Sequence, residues 1–470
     1  MPRRSTPPAP PAPEGVGRGA AGTPNRYSPL AAPGPTPWEM VRAVPAIRRS
    51  AVDFLTGVAA RHGDLAAFPL PRTPVLLLND PEGARHVLVD NHRGYGRATL
   101  QYRALSAVTG QGLLTSDGEA WRTSRRAVQP AFHHTGLHRV AAHAAAAAER
   151  VRGEWAALPA GAVHDVAPGL FRAALEVVGP TLADEDLSDV GQRLVDAVGT
   201  ALEAAAAQAA GPVPAAWPTP ARRRLRRAVA VIDEACEQVV RARRARGLRP
   251  GDDDVLALLL AAGTPPRQVR DELVTFVVAG HETVASCLTW TLHLLARHPA
   301  AQRVLHAELD AVLGPPGSSR VPGFDDLPAL RHTRAVVEES LRLYPPAWVV
   351  TRTALADDVV AGLPVPAGTL VIVCTWALHR HPGAWEAPEE FRPERFPAAA
   401  RNPAYLPFGA GPRLCVGRDL ALLEAVVALA ALLREHRLEP APGPAPRVES
   451  LVTLRPAGGM PLRIARRDVG

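Results

Sequence analysis

The feature that most constrains this chain is a run of helical periodicity over residues 267–297 whose middle is apolar on every side. Leu273-Val274-Thr275-Phe276-Val277-Val278-Ala279-Gly280 leaves no polar face, so such a helix has to cross the interior of a large protein. The run begins after Thr264-Pro265-Pro266 and stops at His298-Pro299, where proline suits a first turn and forbids continuation. At about 1.5 Å per residue it is roughly 45 Å long, and the rest of the chain must wrap around it. Gly280 interrupts its centre. A mid-helix glycine costs about 1 kcal/mol relative to alanine, so it points to close packing or to the approach of a flat ligand.

Helical periodicity recurs over 119–129, 136–157, 221–246, 326–343 and 416–435. Strand-like stretches are few and short: 66–69, 74–78, 357–361, 369–374 and a C-terminal hairpin near 449–464. The expected fold class is mainly α with a small β region. Residues 1–37 hold 11 of the 49 prolines and almost no large apolar side chains, too little burial to offset ordering entropy. A disordered Pro/Ala-rich tail is therefore expected over 1–37 and one continuous folded unit over 38–470.

Bulk properties exclude several classes. Hydrophobic content of 47% with 21% charged residues is that of a globular protein, and no run of 18 apolar residues marks a membrane span. Arg3 and Arg4 are followed by Pro, Ala and Gly, not by the apolar core of a signal peptide. Cys236, Cys287, Cys374 and Cys415 form no CxxC pair, which speaks against zinc, a disulfide framework or a covalently attached cofactor and fits the cytoplasm. The net charge of +7 rests on arginine alone, since the chain has no lysine; with its abundant Ala, Pro and Gly this reads as the codon bias of a GC-rich genome. The arginines do not interleave with aromatics, so no nucleic-acid partner is expected.

The chemistry centres on Phe408-Gly409-Ala410-Gly411-Pro412-Arg413-Leu414-Cys415-Val416-Gly417. Its glycines allow tight turns that bring backbone N–H groups toward the sulfur, and an apolar helix begins just beyond; both favour a thiolate. An unselected cysteine in such a turn is a small buried hydrophobe. This run, however, resembles at every fixed position the haem-binding signature of the cytochrome P-450 family, Phe-Gly-x-Gly-x-Arg-x-Cys-x-Gly. The resemblance extends from about Pro37 to the C-terminal hairpin and implies a P-450 haem domain over 38–470. In it the haem b iron takes Cys415 as axial thiolate, between the long central helix and the cysteine-loop helix. Phe408, Gly409, Arg413 and Gly417 would then belong to the cofactor site.

Three further motifs fall in the family's order. Ala279-Gly280-His281-Glu282-Thr283 resembles the oxygen-activating motif: Gly280 would make room for dioxygen, and Glu282 with Thr283 would form the acid–alcohol pair that delivers protons. The bland alternative is a carboxylate facing a solvent channel and a threonine bonded to its own i−4 carbonyl. Val284 stands where the family often has a second Thr or Ser. Glu339-Ser340-Leu341-Arg342 alone is a surface ion pair at i and i+3; with Phe391-Arg392-Pro393-Glu394-Arg395-Phe396 it resembles the family's buried triad of Glu339, Arg342 and Arg395. Trp121-Arg122-Thr123-Ser124-Arg125 resembles the helix that faces the haem propionates. For those carboxylates the expected partners are Trp121, Arg125, Arg352 and Arg413, whereas Arg122 and Arg126 are expected to be solvated.

The remaining clusters receive plainer readings. Asp252-Asp253-Asp254 reads as a solvated loop and helix start, no histidine pair suggests a second metal, and Cys236, Cys287 and Cys374 read as packed thiols. Trp217-Pro218-Thr219-Pro220 with Arg222–Arg227 reads as a solvated loop and helix start; it falls at the family's access lid, where a peripheral membrane contact is the alternative. Only 55 residues follow Cys415, so a monomer is expected without a fused reductase. It would be served by a ferredoxin or flavodoxin and an NAD(P)H-dependent reductase docking near Arg413 and Arg418.

Pocket-lining positions are expected at 98–112, 170–220, Val277–Thr283, Pro346–Thr351 and the tip at Ala457-Gly458-Gly459; they are mostly small or aliphatic, which suits a large apolar substrate. The runs 341–348 and 452–459 look similar to bacterial carotenoid hydroxylases and terpenoid oxidases, which favours secondary metabolism. Fatty-acid hydroxylation and a peroxide-driven peroxygenase are the competing enzymes. A non-catalytic haem–thiolate sensor, which has no need of Glu282 and Thr283, is the rival from another class.

Overall fold

The computed structural model describes residues 24–70, 73–132, 134–184, 188–209, 219–450 and 452–467. Its axis is the helix Pro266–Arg297, which carries proline in its first turn and ends at His298, ahead of Pro299. Of its 32 residues 23 are buried, as an all-round apolar helix requires. Among the described residues it alone is long and apolar enough to cross a membrane, but 78% of its most apolar window lies inside the protein, so it is a core helix.

The other helices expected from periodicity are present at Gly118–Val128, His134–Ala156, Pro220–Arg246, Arg331–Leu343 and Arg418–Leu433. Helices not anticipated include Ala51–His62, Leu100–Thr109, Ala167–Ala183, Ser188–Ala209 and Pro299–Leu313. The mixed sheet has the spatial order Leu65–Ala67, Val75–Leu78, Leu370–Val373, Val350–Ala354, Tyr95–Gly96. Only Val75–Leu78 and Leu370–Val373 run parallel in it, and Leu76, Leu77 and Leu78 are fully buried.

Several expectations change. Residues 24–36, expected to be part of a disordered tail, are ordered. Asn25 donates to Pro35 O and Ala67 O at 2.9 Å, Leu30 and Ala32 are buried, and Thr36 caps the helix Pro37–Arg49 in a reciprocal box with Glu39. A few well-placed contacts order a proline-rich segment that its composition alone would leave loose. The C-terminal strands are not one hairpin: Arg447–Ser450 pairs with Leu454–Ala457, while Pro461–Arg466 pairs with His436–Pro440 and Val163–Asp165. The hairpin tip is thus 451–453, of which 451 lies outside the described residues, and a side chain at Gly459 would collide with Asp165.

Asp252-Asp253-Asp254 is not a solvated run. Asp254 is buried, caps the helix Val255–Ala261 and pairs at bonding distance with the fully buried Arg243, which also reaches Asp252 at 3.2 Å. Cys236, Cys287 and Cys374 are buried free thiols, and desolvation pushes them up to about 12, 12 and 11.

Four histidines are held well below their ordinary value by burial: His281, His293 and His306 at about 4 and His379 at about 3. Their neutral forms are native, so stability is present above the unfolded value and is lost as pH falls from 6.5 toward 4. Near pH 6 unfolding should take up about three protons at these sites; the buried Glu424 carboxyl, raised by desolvation, acts in the opposite sense. Urea midpoints measured between pH 7 and pH 5.5 should fall steeply, and a pH-independent midpoint would contradict the assignment.

Candidate active site

The central helix belongs to two separate apolar cores. Its residues up to Val278 pack in a cluster with the helices Ala167–Ala183, Ser188–Ala209 and Pro220–Arg246. From Val284 onward they pack in a second cluster with Arg331–Leu343 and Arg418–Leu433. The changeover between them falls at Ala279-Gly280-His281-Glu282-Thr283, of which only His281 is buried. Ala279 is exposed and Gly280, Glu282 and Thr283 are partly exposed, in a helix otherwise sealed on both sides.

Within that stretch the side chains diverge. The Thr283 hydroxyl donates to Ala279 O at 2.6 Å, the i−4 bond of a helical threonine. Glu282 does not bond to Thr283; its charged neighbour is Arg455, 3.9 Å away, which also meets Glu449 at 2.8 Å and Glu203 at 3.8 Å. Arg455 was not anticipated, since nothing in sequence links the hairpin to the central helix. His281 is buried edge-on against Phe171, with ring centroids 5.4 Å apart. A side chain at Gly280 would approach Val178 to 3.0 Å, so helix–helix packing is the constraint visible there.

Cys415 sits in a loop fixed by its own backbone: Cys415 N–H donates to Phe408 O at 3.0 Å, Leu414 N–H to Gly411 O at 3.0 Å and Gly409 N–H to Leu406 O at 3.1 Å. Gly409 and Gly411 both have positive φ, 72° and 67°. Phe408 packs, half-buried, on the larger core, and Gly417 caps the helix Arg418–Leu433. The Cys415 side chain keeps solvent-accessible surface although protein surrounds it, the combination of an atom lining an internal recess. That surrounding desolvates the thiol and pushes it up, while the Gly417 N–H and the Arg125 and Arg418 charges act against the rise.

The expected arginines separate into two groups. Arg413 lies over the Trp121 ring at 3.9 Å, donates to Ser116 O at 3.0 Å and pairs with Asp117. Arg352 is buried and donates to the Tyr102 hydroxyl at 3.3 Å. Arg97, which had not been singled out, completes the cluster with its guanidinium 5.0 Å from the Tyr102 ring and its Nε buried without a partner. Of the three guanidinium groups only that of Arg413 meets a carboxylate, Asp117, and Arg413 is pushed down to about 9, by burial first and then by Arg97. Arg125 is not in this cluster: its Nη1 donates to Leu414 O at 3.1 Å, beside Cys415. Arg413, turned inward, is no surface residue, whereas Arg418 is exposed and paired with Asp419. Arg122 and Arg126 are exposed and paired with Glu119.

The buried triad holds the loop. Glu339 and Arg342 form a two-pronged pair at 2.8 Å with both side chains fully buried, and Arg395 joins Glu339 at 3.1 Å. Arg342 spends its other donors on His379 O, Pro388 O and Glu390 O, at 2.7–2.9 Å. His379 then carries the connection forward. Its Nε2 accepts from Leu406 N–H at 2.8 Å, so its Nδ1–H donates to Arg342 O at 2.9 Å. A hydrogen-bonded path thus runs from the triad through His379 and Leu406 to Phe408 and Cys415. His379 had no sequence signal of its own.

Across the recess, Asp271 and Glu272 accept from Gln111 N–H and Leu113 N–H at 2.8 and 2.9 Å, and pin the segment after Leu100–Thr109 onto the central helix. A Cβ at Gly110 or Gly112 would lie 2.1 Å from Asp271 or Thr275, so both glycines permit this contact.

Residues 32–460 match the family model described as Cytochrome P450. The chain belongs to the cytochrome P450 family. It is 35% identical over 88% of its length to 90% of the cyclooctat-9-en-7-ol 5-monooxygenase of Streptomyces melanosporofaciens. To the pentalenene oxygenase of Streptomyces avermitilis it is 32% identical over 93% of this chain and 98% of that one. A P450 crystal structure from Thermus thermophillus superimposes with a TM-score of 0.73 at 32% identity, covering 90% of this chain and 98% of that one. The haem domain of cytochrome P450DA does so with 0.79 at 27% identity, covering 89% and 93%. The chain is therefore a P450 monooxygenase with the family's fold.

P450s carry haem iron held by a cysteine thiolate, and the residues present fit that group. A recessed sulfur, an arginine cluster short of anions and a bare patch on a buried helix are the three features that a thiolate-bound, two-carboxylate, oxygen-binding macrocycle requires.

Two substitutions test the scaffold. Arg342→Ala leaves the buried Glu339 with Arg395 as its one cation and removes the donor from three carbonyls, a loss of about 3–5 kcal/mol; purified protein should contain no haem absorbance, and Arg342→Lys should recover little because lysine cannot form the fork. Gly409→Ala, with open space around the new methyl, should cost only about 1 kcal/mol for its positive φ. Gly411→Ala drives a methyl to 2.2 Å from Leu88 O and should abolish haem retention. Equal haem content in the two glycine variants would refute the clash.

Proposed function

We propose that this P450 inserts one oxygen atom of O2 into a large apolar substrate, a terpenoid or carotenoid, using electrons from a ferredoxin or flavodoxin and its NAD(P)H-dependent reductase. The observation that carries the reading is the break in burial midway along the central helix, where Ala279 is exposed and Gly280, Glu282 and Thr283 are partly exposed around the buried His281. Bound haem b supplies oxygen activation at an iron ligated by Cys415. Arg97, Arg352 and Arg413 would hold its propionates, with Trp121 backing Arg413 and Tyr102 between the guanidinium groups. Arg125 and the Gly417 N–H would favour the thiolate and keep the loop in place.

The Thr283 hydroxyl, anchored on Ala279 O, would hold a proton at the bare patch, and Glu282 would replenish it through a rotation away from Arg455. The aliphatic residues Val277 and Val278 beside the patch give it an apolar border that suits a hydrocarbon skeleton and excludes water. The two Streptomyces relatives are named for terpenoid oxidation, which supports that substrate class over fatty acids.

Cys415→Ser should lose the thiolate-type spectrum of the reduced carbon monoxide complex together with monooxygenation. Substrate class is tested by titrating cyclic di- and sesquiterpenes, a carotenoid and a long-chain fatty acid, following the spectral shift of the bound haem. A terpene or carotenoid should give the shift at the lowest concentration, and tighter binding of the fatty acid would overturn the assignment. Turnover with ferredoxin, reductase and NADPH should exceed turnover with hydrogen peroxide alone. The reverse result indicates a peroxygenase, and no turnover with either a sensor.

A further inference from the structure

Trp217, where a membrane contact was the alternative to a solvated loop, lies outside the described residues; Arg223, Arg224, Arg226 and Arg227 are exposed at the start of Pro220–Arg246. A different surface carries more. No residue of the helix Pro37–Arg49 is buried. Met40, Ala43 and Ile47 are half-buried and form the face turned to the protein, with Met40 packed on the larger core. Trp38, Val41 and Pro45 each precede one of these by two residues, which places them about 160° round the helix. Trp38 and Val41 are both 61% exposed.

The charge on that outer face has one sign. Arg42 lies over the Trp38 ring at 5.0 Å, and Arg48 and Arg49 are exposed in the last turn. Glu39, the only acid of the helix, is consumed by its cap: its Oε2 accepts from Thr36 N–H at 2.7 Å and the Thr36 hydroxyl at 3.0 Å. Between residues 24 and 62 five arginines face two acids, Glu39 and Asp53.

The apolar exposure is not confined to the helix. Among the described residues, five of the thirteen large hydrophobics that are exposed lie between residues 27 and 70: Tyr27, Trp38, Val41, Val44 and Leu70. Tyr27 repeats the pattern of Trp38, with Arg26 over its ring at 4.8 Å. The layer is rigid, because Ala67 N–H donates to Pro33 O at 2.7 Å and Asn25 spans Pro35 O and Ala67 O.

We propose that this N-terminal layer docks on an anionic lipid bilayer. The helix Pro37–Arg49 lies in the plane of the surface, Trp38, Val41 and Pro45 enter the headgroup boundary, and Arg42, Arg48 and Arg49 meet lipid phosphates. A narrow apolar stripe carrying tryptophan and edged by arginine is the design of an interfacial helix. The apolar positions are set singly among arginines and do not form one flat apolar core, which suits a headgroup boundary better than the packed centre of a protein interface. The inference is independent of what the active site oxidises.

The test is flotation of the full-length holoenzyme with vesicles of phosphatidylcholine alone or mixed with phosphatidylglycerol. Binding should need the anionic lipid and fall with added salt. Affinity should drop at least about tenfold in Trp38→Ala/Val41→Ser and, separately, in Arg42→Gln/Arg48→Gln/Arg49→Gln, with the haem spectrum unchanged in both. Three results would overturn the proposal: no vesicle binding, binding that neither variant weakens, or a concentration-dependent dimer in sedimentation that Trp38→Ala abolishes. The last would assign the face to a second copy of the chain.

Discussion

The buried pair of Glu339 and Arg342 is the interaction on which the site depends. A guanidinium at full burial is tolerable only when its donors are met, and here they are divided between Glu339 and the carbonyls of His379, Pro388 and Glu390. Those three carbonyls belong to a stretch with little regular structure, so the ion pair does for that stretch what a sheet ladder does for a strand. His379 passes the constraint to Leu406 and the cysteine loop follows. An uncharged imidazole suits this step, because its Nε2 has to accept a backbone N–H and a protonated ring could not.

The two-core arrangement explains how a partly uncovered patch persists midway along a helix that is buried on either side of it. Each core closes around half of the helix, and the seam between them falls on Ala279–Thr283. Glycines that tolerate close approach recur around the recess: Gly110 and Gly112 against the central helix, Gly280 against Val178 and Gly411 against Leu88 O. The cofactor site is thus bounded by backbone held in fixed contact on several sides, which suits a rigid macrocycle. Arg97, Arg352 and Arg413 add the converse, cations crowded against one another that require an outside anion to become comfortable.

Much of this was legible in the chain. The central helix, the cysteine loop and the triad are each encoded within short windows, by residue types whose physics is local: an all-apolar helix, glycines at positive φ, a carboxylate and guanidinium three residues apart. What was missed includes the helices Ala167–Ala183, Ser188–Ala209 and Pro299–Leu313, and the segment 24–36, where two bonds from Asn25 and the burial of Leu30 outweigh composition. Asp254 was misjudged because its partner, Arg243, sits on the preceding helix and burial cannot be seen from charge alone.

By itself, the sequence determined the family and the fold class, and singled out Cys415 as the candidate ligand, since each follows from patterns of adjacent residues. Only the tertiary structure decided which arginines stand together and which carboxylate has a counter-ion. Arg97 joins Arg352 and Arg413 from more than two hundred residues away, Arg125 turns to Leu414 O, and Glu282 faces Arg455 of a distant hairpin. Charges act through space at a few ångströms regardless of their separation along the chain, and the fold alone sets those distances.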